Sequence, residues 1–445
     1  MARAKKEAAL TPEERLQAAL VPDWEWPYKL PENWCWTTVG AINQYVGISA
    51  DPTKAKNKTF ELYSVPSSAD NYPEIVLGAD IGSTKQSVKK GDVLLCKINP
   101  RINRVWKVSK YTDHSLLASS EWIVIRNSGL ISNYLMWCFR SSYFRGYMLS
   151  NVSGVGGSLM RAQPKFVQGY PVPVPPLAEQ QRIVDRIESL FAKLDEAKEK
   201  AQAVVDSFET RKAAILHKAF TGELTAKWRE EHGVSIDNWK TTRFDSVAAI
   251  RSNLVDPAEY QSFPHIAPDN IEKKTGVLLE YHTIAEDGVT SGKHRFYSGQ
   301  ILYSKIRPYL SKVVVVDFDG LCSADMYPIE AYQNARCLWY YMLSDEFLLQ
   351  ASTAGSRSVL PKINQKELSA LTVHLPTNDR EQEEIARILD ELFDKEQQTK
   401  EAAEVVLDQI DLMKKSILAR AFRGELGTND PSEESAVELL KRTIL

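Results

Sequence analysis

Two segments of the chain carry basic side chains in one shared pattern, GDVLLCKINPRINRVWKV (91–108) and GQILYSKIRPYLSKVVVV (299–316). Each has a glycine, an apolar β-branched run, Lys-Ile-x-Pro, a basic stretch and a second valine-rich run. This pattern predicts two strands joined by a loop that carries the basic residues. Loops on a rigid scaffold often bind ligands. Arginine can bridge O6 and N7 of guanine, and lysine can contact guanine or a phosphate, so the predicted chemistry is recognition of nucleic acid.

The candidate contact residues come from three places in each copy. They lie in the loop after the Lys-Ile strand, in the glycine-flanked segments GGSLMRAQPK and AGSRSVLPK, and just before the matched strands. The full set is Lys85, Lys97, Arg101, Arg104, Lys107, Arg161, Lys165, Lys293, Arg295, Lys305, Arg307, Lys312, Arg357 and Lys362. For any of them a solubilising exposed charge is the alternative, and a lysine inside a strand could equally pair with a carboxylate. The aromatic residues Tyr63, Trp106 and Tyr309 either support the loops or are half-buried structural residues.

The charge distribution separates the two copies. Residues 26–175 contain 17 Lys and Arg against 9 Asp and Glu, whereas residues 235–377 contain 14 against 16. The whole chain has a net charge of −3 and a pI near 6.2. The first region therefore suits phosphates better than the second. We expect the chain to be a weak DNA binder alone and to need a partner that makes more of the backbone contacts.

Catalytic and metal-binding patterns are missing from the sequence. A DNA amino-methyltransferase would carry Asn-Pro-Pro-aromatic, but the only Asn-Pro, Asn99-Pro100, is followed by Arg101. GVTSGKH (288–294) has short glycine spacing for a phosphate loop, and His294 replaces its Ser or Thr. The seven histidines form no His-x-x-x-His pair. The five cysteines are scattered, which is typical of reduced thiols in a cytoplasm. We expect no catalytic residue and no metal.

Long helices must position the basic segments, and they reveal an internal repeat. ILHKAFTGEL (215–224) and ILARAFRGEL (417–426) match at an offset of 202 residues, and the match extends back without a gap to Glu179 and Glu381. The proline-rich YPVPVPP (170–176) precedes the first helix, and VHLP (373–376) precedes the second. Gly222 and Gly424 stand where a left-handed glycine would end each one.

A heptad runs along both copies and predicts a coiled-coil seam. The seam residues are Ile183, Ile187, Leu190, Leu194, Val204, Phe208, Ile215, Ile385, Leu389, Leu392, Val406, Ile410, Met413 and Ile417. Arg211 interrupts the first copy, and Glu396 and Thr399 are polar breaks in the second. Two unrelated surface helices are the alternative, but both copies keep the same phase at one offset.

The repeat predicts an α+β fold with two globular domains in tandem, separated by two long helices that form an antiparallel coiled coil with internal pseudo-two-fold symmetry. The predicted boundaries are an N-terminal extension (1–25), a first globular domain (26–176), a first long helix (177–222), a linker (223–234), a second globular domain (235–377), a second long helix (378–424) and a C-terminal tail (425–445). Symmetric dimers read paired DNA half-sites at a spacing fixed by the protein. Because the two globular domains differ in sequence, their half-sites should differ.

These features resemble the specificity subunit of type I restriction-modification enzymes. PPLAEQQRIVDRIESLFAKLD, AFTGELTAKWR and SILARAFRGEL are similar to that family's conserved helix sequences, and the resemblance covers essentially the whole chain. It implies a non-catalytic chain whose two target-recognition domains each read one half of a bipartite, asymmetric sequence in double-stranded DNA. It also implies helices that set the spacer and dock two methyltransferase subunits, with two restriction-translocase subunits completing the complex.

The same resemblance implies cofactors only on the partners: S-adenosylmethionine on the methyltransferase, and ATP with Mg on the endonuclease. The expected location is the cytoplasm of a bacterium or archaeon, with no membrane contact. Two alternatives stay open at this point. One is a coiled-coil scaffold whose end domains bind proteins or other ligands, and the other is a single-chain DNA-modifying enzyme, which the missing motifs oppose.

Overall fold

The computed structural model describes residues 11–154, 160–354 and 361–444. They form two compact units: unit 1 comprises Met1–Lys200 with Val406–Leu445, and unit 2 comprises Ala201–Val405. The predicted mixture of helices and sheets with two long helices is confirmed. Each unit takes the beginning of one long helix and the end of the other.

The helices are, in chain order, α1 (Pro12–Ala19), α2 (Val39–Ile42), α3 (Ser132–Arg140), α4 (Ser142–Ser150), α5 (Pro164–Val167), α6 (Leu177–Asp206), α7 (Phe208–Phe220), α8 (Ala226–His232), α9 (Ile284–Asp287), α10 (Ala335–Met342), α11 (Asp345–Ala354), α12 (Gln365–Ala370), α13 (Asp379–Ala421) and α14 (Ala436–Ile444).

The strands are β1 (Cys35–Thr38), β2 (Ser49–Ala50), β3 (Thr59–Tyr63), β4 (Glu74–Leu77), β5 (Lys85–Ser87), β6 (Val93–Cys96), β7 (Val105–Lys107), β8 (Ser115–Ala118), β9 (Trp122–Ile125), β10 (Val152–Ser153), β11 (Arg161–Ala162), β12 (Pro171–Val174), β13 (Trp239–Arg243), β14 (Ala248–Ile250), β15 (Leu254–Val255), β16 (Pro264–Ile266), β17 (His282–Thr283), β18 (Lys293–Phe296), β19 (Ile301–Ser304), β20 (Val313–Val315), β21 (Gly320–Cys322), β22 (Met326–Ala331) and β23 (Thr372–Pro376).

The two units have matching sheets. Unit 1 has a five-stranded sheet in the order β2-β5-β8-β3-β4, a sheet β7-β6-β9, and the pairs β1-β12 and β10-β11. Unit 2 has a five-stranded sheet β15-β18-β21-β16-β17, a sheet β14-β22-β19-β20, and the pair β13-β23. The parallel pairs β3-β8 and β16-β21 occupy the same place in their sheets. The globular parts of the two units are therefore only loosely similar in sequence, but the order of their strands is nearly the same.

Each unit buries an aromatic helix against its smaller sheet and the long helices. In unit 1 the core includes Tyr134 and Phe139 of α3 together with Phe422, which follows α13. In unit 2 it includes Tyr341 of α10 together with Phe220 at the end of α7. Burying one such side chain stabilises a fold by about 1.5–3 kcal/mol. The repeated Phe of the AFxGEL motif thus joins the end of each long helix to a core.

The first long helix is interrupted, whereas the second is continuous. Ser207 separates α6 from α7, and its hydroxyl donates to the carbonyl of Ala203 at 2.6 Å. α13 runs for 43 residues without a break. Gly222 and Gly424 have φ of +80° and +74°, so the prediction of left-handed glycines after both helices is confirmed.

Helices also lie in three segments outside the predicted globular domains and long helices. The predicted linker 223–234 contains α8, and the predicted tail 425–445 contains α14, whose Leu439 and Leu440 are buried in the core of unit 1. The predicted extension 1–25 contains α1, with Ala19 in that same core. Short helices are hard to recognise in a sequence because they have too few turns to show a period.

Within each unit the two long helices contact each other in opposite directions. In unit 1, Lys198 pairs with Asp411 at 3.1 Å, and Lys414 pairs with Asp195. In unit 2, Arg211 pairs with Glu396 at 2.7 Å. The interruption and the polar break that the sequence showed separately are therefore partners in one ion pair.

The helix seam differs from the predicted heptad toward the end of α13. Val406 and Met413 are 40% and 49% exposed, while Leu407 and Lys414, one residue later, are half-buried. A straight helix drifts by about 20° per heptad relative to a strict 3.5-residue repeat, so the inward positions move along the sequence. The other predicted seam residues are buried or half-buried: Ile183, Ile187, Leu190, Leu194, Val204, Phe208, Ile215, Ile385, Leu389, Leu392, Ile410 and Ile417.

A fully buried glutamate near the start of each long helix accepts hydrogen bonds from residues that follow the other long helix, and Glu179 also accepts one from Arg182 of its own helix. Glu381 accepts hydrogen bonds of 2.7–3.0 Å from Thr225, Arg229, Asn238 and Trp239. Glu179 accepts from Arg182 at 2.8 Å and Thr428 at 2.7 Å. Burial opposes ionisation of both carboxyls. The four donors outweigh it and hold the pKa of Glu381 below its ordinary value, whereas burial prevails and raises the pKa of Glu179.

Candidate nucleic-acid interface

The two Lys-Ile-x-Pro segments form hairpins with the same backbone. β6 pairs with β7, and β19 pairs with β20, as the β-branched runs predicted. Each loop is a 3-10 turn, Pro100–Ile102 or Pro308–Leu310, between two left-handed residues. In the first loop these are Asn99 and Asn103, with φ of 48° and 52°; in the second they are Arg307 and Ser311, with φ of 48° and 45°.

The shared backbone shows which side chains occupy equivalent positions in the two loops. The arginine of one loop is not equivalent to the arginine of the other. Arg307 stands at the position of Asn99, and Tyr309 stands at the position of Arg101. Tyr309 is 47% exposed, and both arginines are exposed. The two units therefore present different chemical groups on one frame.

The second candidate segment lies directly beside the hairpin loop in each unit. Ile98 forms a β-bridge with Arg161, and Ile306 forms one with Lys362. The amide of Asn99 donates to the carbonyl of Met160 at 2.8 Å, and the amide of Arg307 donates to that of Pro361 at 2.7 Å. Two residue sets that the sequence showed separately are thus adjacent. Arg357 lies outside the described residues.

Several candidate cations already have partners within the protein. Lys305 lies 3.9 Å from Asp325, so the alternative of a strand lysine beside a carboxylate describes it well. Burial, reinforced by the neighbouring ammonium of Lys362, lowers the pKa of Lys305, while Asp325 acts in the opposite direction. Lys362 lies 3.2 Å from Asp325. In unit 1, Arg161 lies 3.3 Å from Glu121.

The remaining candidate DNA-binding residues differ in how many contacts their side chains make within the protein. Lys107 and Lys312 donate to Asn133 and to the carbonyl of Pro268, and Lys85 and Lys293 donate to the carbonyls of Ser83 and Ser291 at 3.1 and 3.0 Å. Arg295 packs over the rings of Tyr260, Phe263 and Tyr297, and Lys165 packs over Phe166. Lys97 and Arg104 are half-buried. Within the described part of the chain, the side chains of Arg101 and Arg307 have no hydrogen-bond partner.

The aromatic candidates separate in the same way. Tyr63 and Trp106 are buried, and their rings lie 4.6 Å apart in the core beneath the first hairpin. The hydroxyl of Tyr63 donates to Glu61 at 2.8 Å, and this carboxylate also accepts from backbone amides of Tyr111 and Thr112. Tyr63 and Trp106 are therefore structural, whereas Tyr309 lies at the loop surface.

Two acidic residues beside the basic loops, Glu121 and Asp325, were not among the candidates chosen from the sequence. Glu121 and Asp325 occupy the same turn in the two units, just before β9 and β22. The segments SSEW (119–122) and SADM (323–326) match in sequence and place the two acids at equivalent positions. The candidate residues were restricted to cations, so these acids were left out. Only the fold shows that these carboxylates stand among them.

Three features of the described residues concern metal binding, thiol reactivity and membrane spanning. Ranges 11–154, 160–354 and 361–444 contain no group of three His, Cys, Asp or Glu residues placed to hold a metal ion. All five cysteines are buried and free, and burial raises the pKa of Cys35 to about 12. None of the helices in those ranges has the length and apolar character of a bilayer span.

Comparison with known proteins identifies the class of protein to which this fold and surface belong. The family described as the type I restriction modification DNA specificity domain matches residues 47–205 and 236–406, once in each unit and over more than half of the chain. The chain therefore belongs to the family of type I restriction-modification specificity proteins.

Two relatives and two solved structures show the extent of the similarity. The chain is 36% identical to the type I restriction enzyme EcoDI specificity subunit of Escherichia coli over 345 residues, 73% of this chain and 76% of that one. It is 25% identical to the EcoKI specificity subunit of Escherichia coli strain K12, over 68% of each chain. A chain from a study of assembly and conformational transition of the type I R-M system has a TM-score of 0.70 at 20% identity, covering 90% of this chain and all of that one. The HsdS subunit from Thermoanaerobacter tengcongensis gives a TM-score of 0.62, also at 20% identity and with the same coverage.

Family membership confirms the main functional prediction. The chain is a DNA-specificity subunit of a type I restriction-modification system, and the catalytic activities of such systems reside in other subunits. The family match gives no support to the scaffold alternative.

Proposed function

We propose that each unit reads one half of a bipartite, asymmetric sequence in double-stranded DNA through its hairpin loop and the adjoining basic segment. The observation that carries this proposal is the pair of superimposable loop frames with different side chains. Asn99 and Arg101 stand in unit 1 where Arg307 and Tyr309 stand in unit 2. A common frame gives a common approach to the groove, and different side chains select different base edges.

The long helices, in this proposal, form one antiparallel coiled coil with internal pseudo-two-fold symmetry that sets the spacer between the half-sites. Their oppositely directed contacts within each unit and the repeat at an offset of 202 residues support it. Two equal helices can present equivalent surfaces to two methyltransferase subunits. Two restriction-translocase subunits complete the assembly, with S-adenosylmethionine on the methyltransferase and ATP with Mg on the translocase, in the cytoplasm of a bacterium or archaeon.

The charge distribution supports the need for these partners. A net charge of −3 gives the chain little long-range attraction to DNA. Several candidate cations are also paired or hydrogen-bonded internally. Methyltransferase subunits that supply additional phosphate contacts would bring the loops to the groove, where a few base contacts decide the sequence.

Exchange of one unit's globular part tests the proposal. Residues 26–175 are replaced by the corresponding region of a relative, the complex is reconstituted with its methyltransferase, and the methylated motif is sequenced. One half of the motif should change while the other half and the spacer stay constant. The reciprocal exchange of residues 235–377 is the matched control and should change only the opposite half. A folded, assembled chimera that changes both halves would contradict independent reading.

A further inference from the structure

An acidic residue lies beside the basic residues in both units, and its backbone is held in the same way each time. The amides of Glu121 and Asp325 each donate to a serine hydroxyl two residues earlier, Ser119 or Ser323, at 3.2 Å. Their carbonyls accept from the amides of Lys97 at 2.9 Å and Lys305 at 3.0 Å. The acid is therefore locked beside the first residue of each basic loop.

The carboxylates pair with the basic residues of the adjoining segment. Glu121 lies 3.3 Å from Arg161, whose side chain is 54% exposed. Asp325 lies 3.2 Å from Lys362 and 3.9 Å from Lys305, with side-chain exposures of 41% and 15% for the two lysines. The residue types differ between the units, as Glu with Arg and as Asp with Lys, but the charge pattern is the same. A shared charge pattern on loops that otherwise differ indicates a role common to both half-sites.

We propose, building on the function proposed above, that Glu121 and Asp325 are specificity-determining residues that compete with phosphate for these cations. Affinity for non-target DNA comes essentially from phosphate contacts, so a cation held by a carboxylate is withdrawn from it. The Glu121–Arg161 and Asp325–Lys362 pairs are exposed enough to be weak and to exchange readily, whereas Lys305 is only 15% exposed. On the target, base contacts made by the hairpin loop hold the DNA close enough for phosphate to displace the carboxylate. The acid therefore penalises non-target binding more than target binding.

The salt dependence of binding tests this competition. Glu121→Gln and Asp325→Asn are compared with the wild-type chain, each in complex with the methyltransferase, on target and non-target duplexes from 50 to 200 mM salt. On non-target DNA the slope of log K against log [salt] should steepen by about 0.9 for each cation released. That slope corresponds to an additional loss of about 3.5-fold in affinity across this range. On the target the slope should stay at the wild-type value, because the cation already contacts phosphate there.

Asp245→Asn is the matched control. Asp245 pairs with Arg243 at 2.6 Å, with side-chain exposures of 45% and 58%, at the end of β13 and outside the loop segments. This variant makes the same change in net charge and should leave both slopes unchanged. Thermal melting of all three variants checks that the fold is retained.

Other results would overturn the proposal in distinguishable ways. Unchanged slopes for both loop variants would show that the carboxylates do not restrain the cations. If the slope steepened equally on target and non-target DNA, the effect would come from the loss of one negative charge alone, and the carboxylate would not help to distinguish the two kinds of DNA. A steeper slope for the Asp245→Asn control would lead to the same conclusion. A loss of target affinity alone would make the acid a hydrogen-bond acceptor for a base. Failure of the proposed function would give a different result from failure of this proposal: the wild-type complex itself would then show no preference for its methylated motif.

Discussion

Replacing Arg307 by asparagine separates the backbone role of this residue from its side-chain role. Arg307 has φ 48° and ψ 59°, nearly the same as the 48° and 63° of Asn99 at the equivalent position in unit 1. A left-handed conformation costs an ordinary L-residue about 1–2 kcal/mol, and asparagine tolerates it much better. We therefore expect Arg307→Asn to leave the fold unchanged or to stabilise it by up to about 1 kcal/mol.

The same substitution should weaken binding to the target. The exposed guanidinium of Arg307 has no hydrogen-bond partner among the described residues, so it is available to a base. Loss of a bidentate contact to guanine costs about 1–3 kcal/mol, or roughly 5- to 150-fold in affinity. Arg307→Lys is the matched control, because it retains the positive charge but lacks the planar fork. It should lose part of that affinity if the contact is a bidentate one to guanine, which needs the planar fork, and little if the contact is to a phosphate.

The assay is competition binding by the complex with its methyltransferase, using the target and duplexes substituted singly in one half-site. Arg307→Asn should relax selection at one base of the half read by unit 2, while thermal denaturation shows no loss of stability. Target affinity equal to that of the wild-type complex would refute the assignment of Arg307. Equal weakening on target and unrelated DNA, with full recovery in Arg307→Lys, would make the contact a phosphate contact.

Three further outcomes are expected. Arg101→Ala should weaken target binding by about 1–3 kcal/mol and alter selection only in the half read by unit 1, as measured by the same competition assay; an unchanged motif would remove Arg101 from the interface. At pH 7, Glu381→Gln should lower the melting temperature whereas Glu179→Gln should leave it unchanged or raise it, because the pKa of Glu381 lies below its ordinary value of 4.5 and that of Glu179 lies above it. The stability contributed by Glu381 is fully present above about pH 4.5 and is lost as the pH falls through its lowered folded-state pKa, so the effect of Glu381→Gln should shrink in melts at lower pH; equal losses for both variants at pH 7 would contradict this. Adding one heptad to each long helix lengthens it by about 10 Å, so the spacer of the methylated motif should grow by roughly three base pairs with both half-sites unchanged, and a fixed spacer in an assembled complex would show that the helices do not set it.

The sequence by itself determined the repeat, the class of fold and the class of function. Regular spacing carries this information locally: a 202-residue offset, an apolar heptad and a glycine after each helix can be recognised without knowing any long-range contact. The hairpins were predictable for the same reason, because a strand, a turn and a strand lie within 18 residues of one another. The end of the seam was less predictable, since the exposure of Met413 depends on how far a straight helix drifts from a 3.5-residue repeat.

Only the tertiary structure decided which side chains share a surface and which are already paired. Arg161 and Ile98 are 63 residues apart in the chain but adjacent across a β-bridge, and no local pattern encodes that contact. Arg307 adopts the left-handed backbone conformation of Asn99, which residue type alone would not suggest for arginine. Asp325 stands beside two lysines because the end of β19, the turn before β22 and the β-bridge between Ile306 and Lys362 meet there. The strength of an electrostatic interaction depends on the distance between the two charges in space. The sequence gives the order of the charged residues along the chain, but it does not tell which of them are left unpaired and available to DNA.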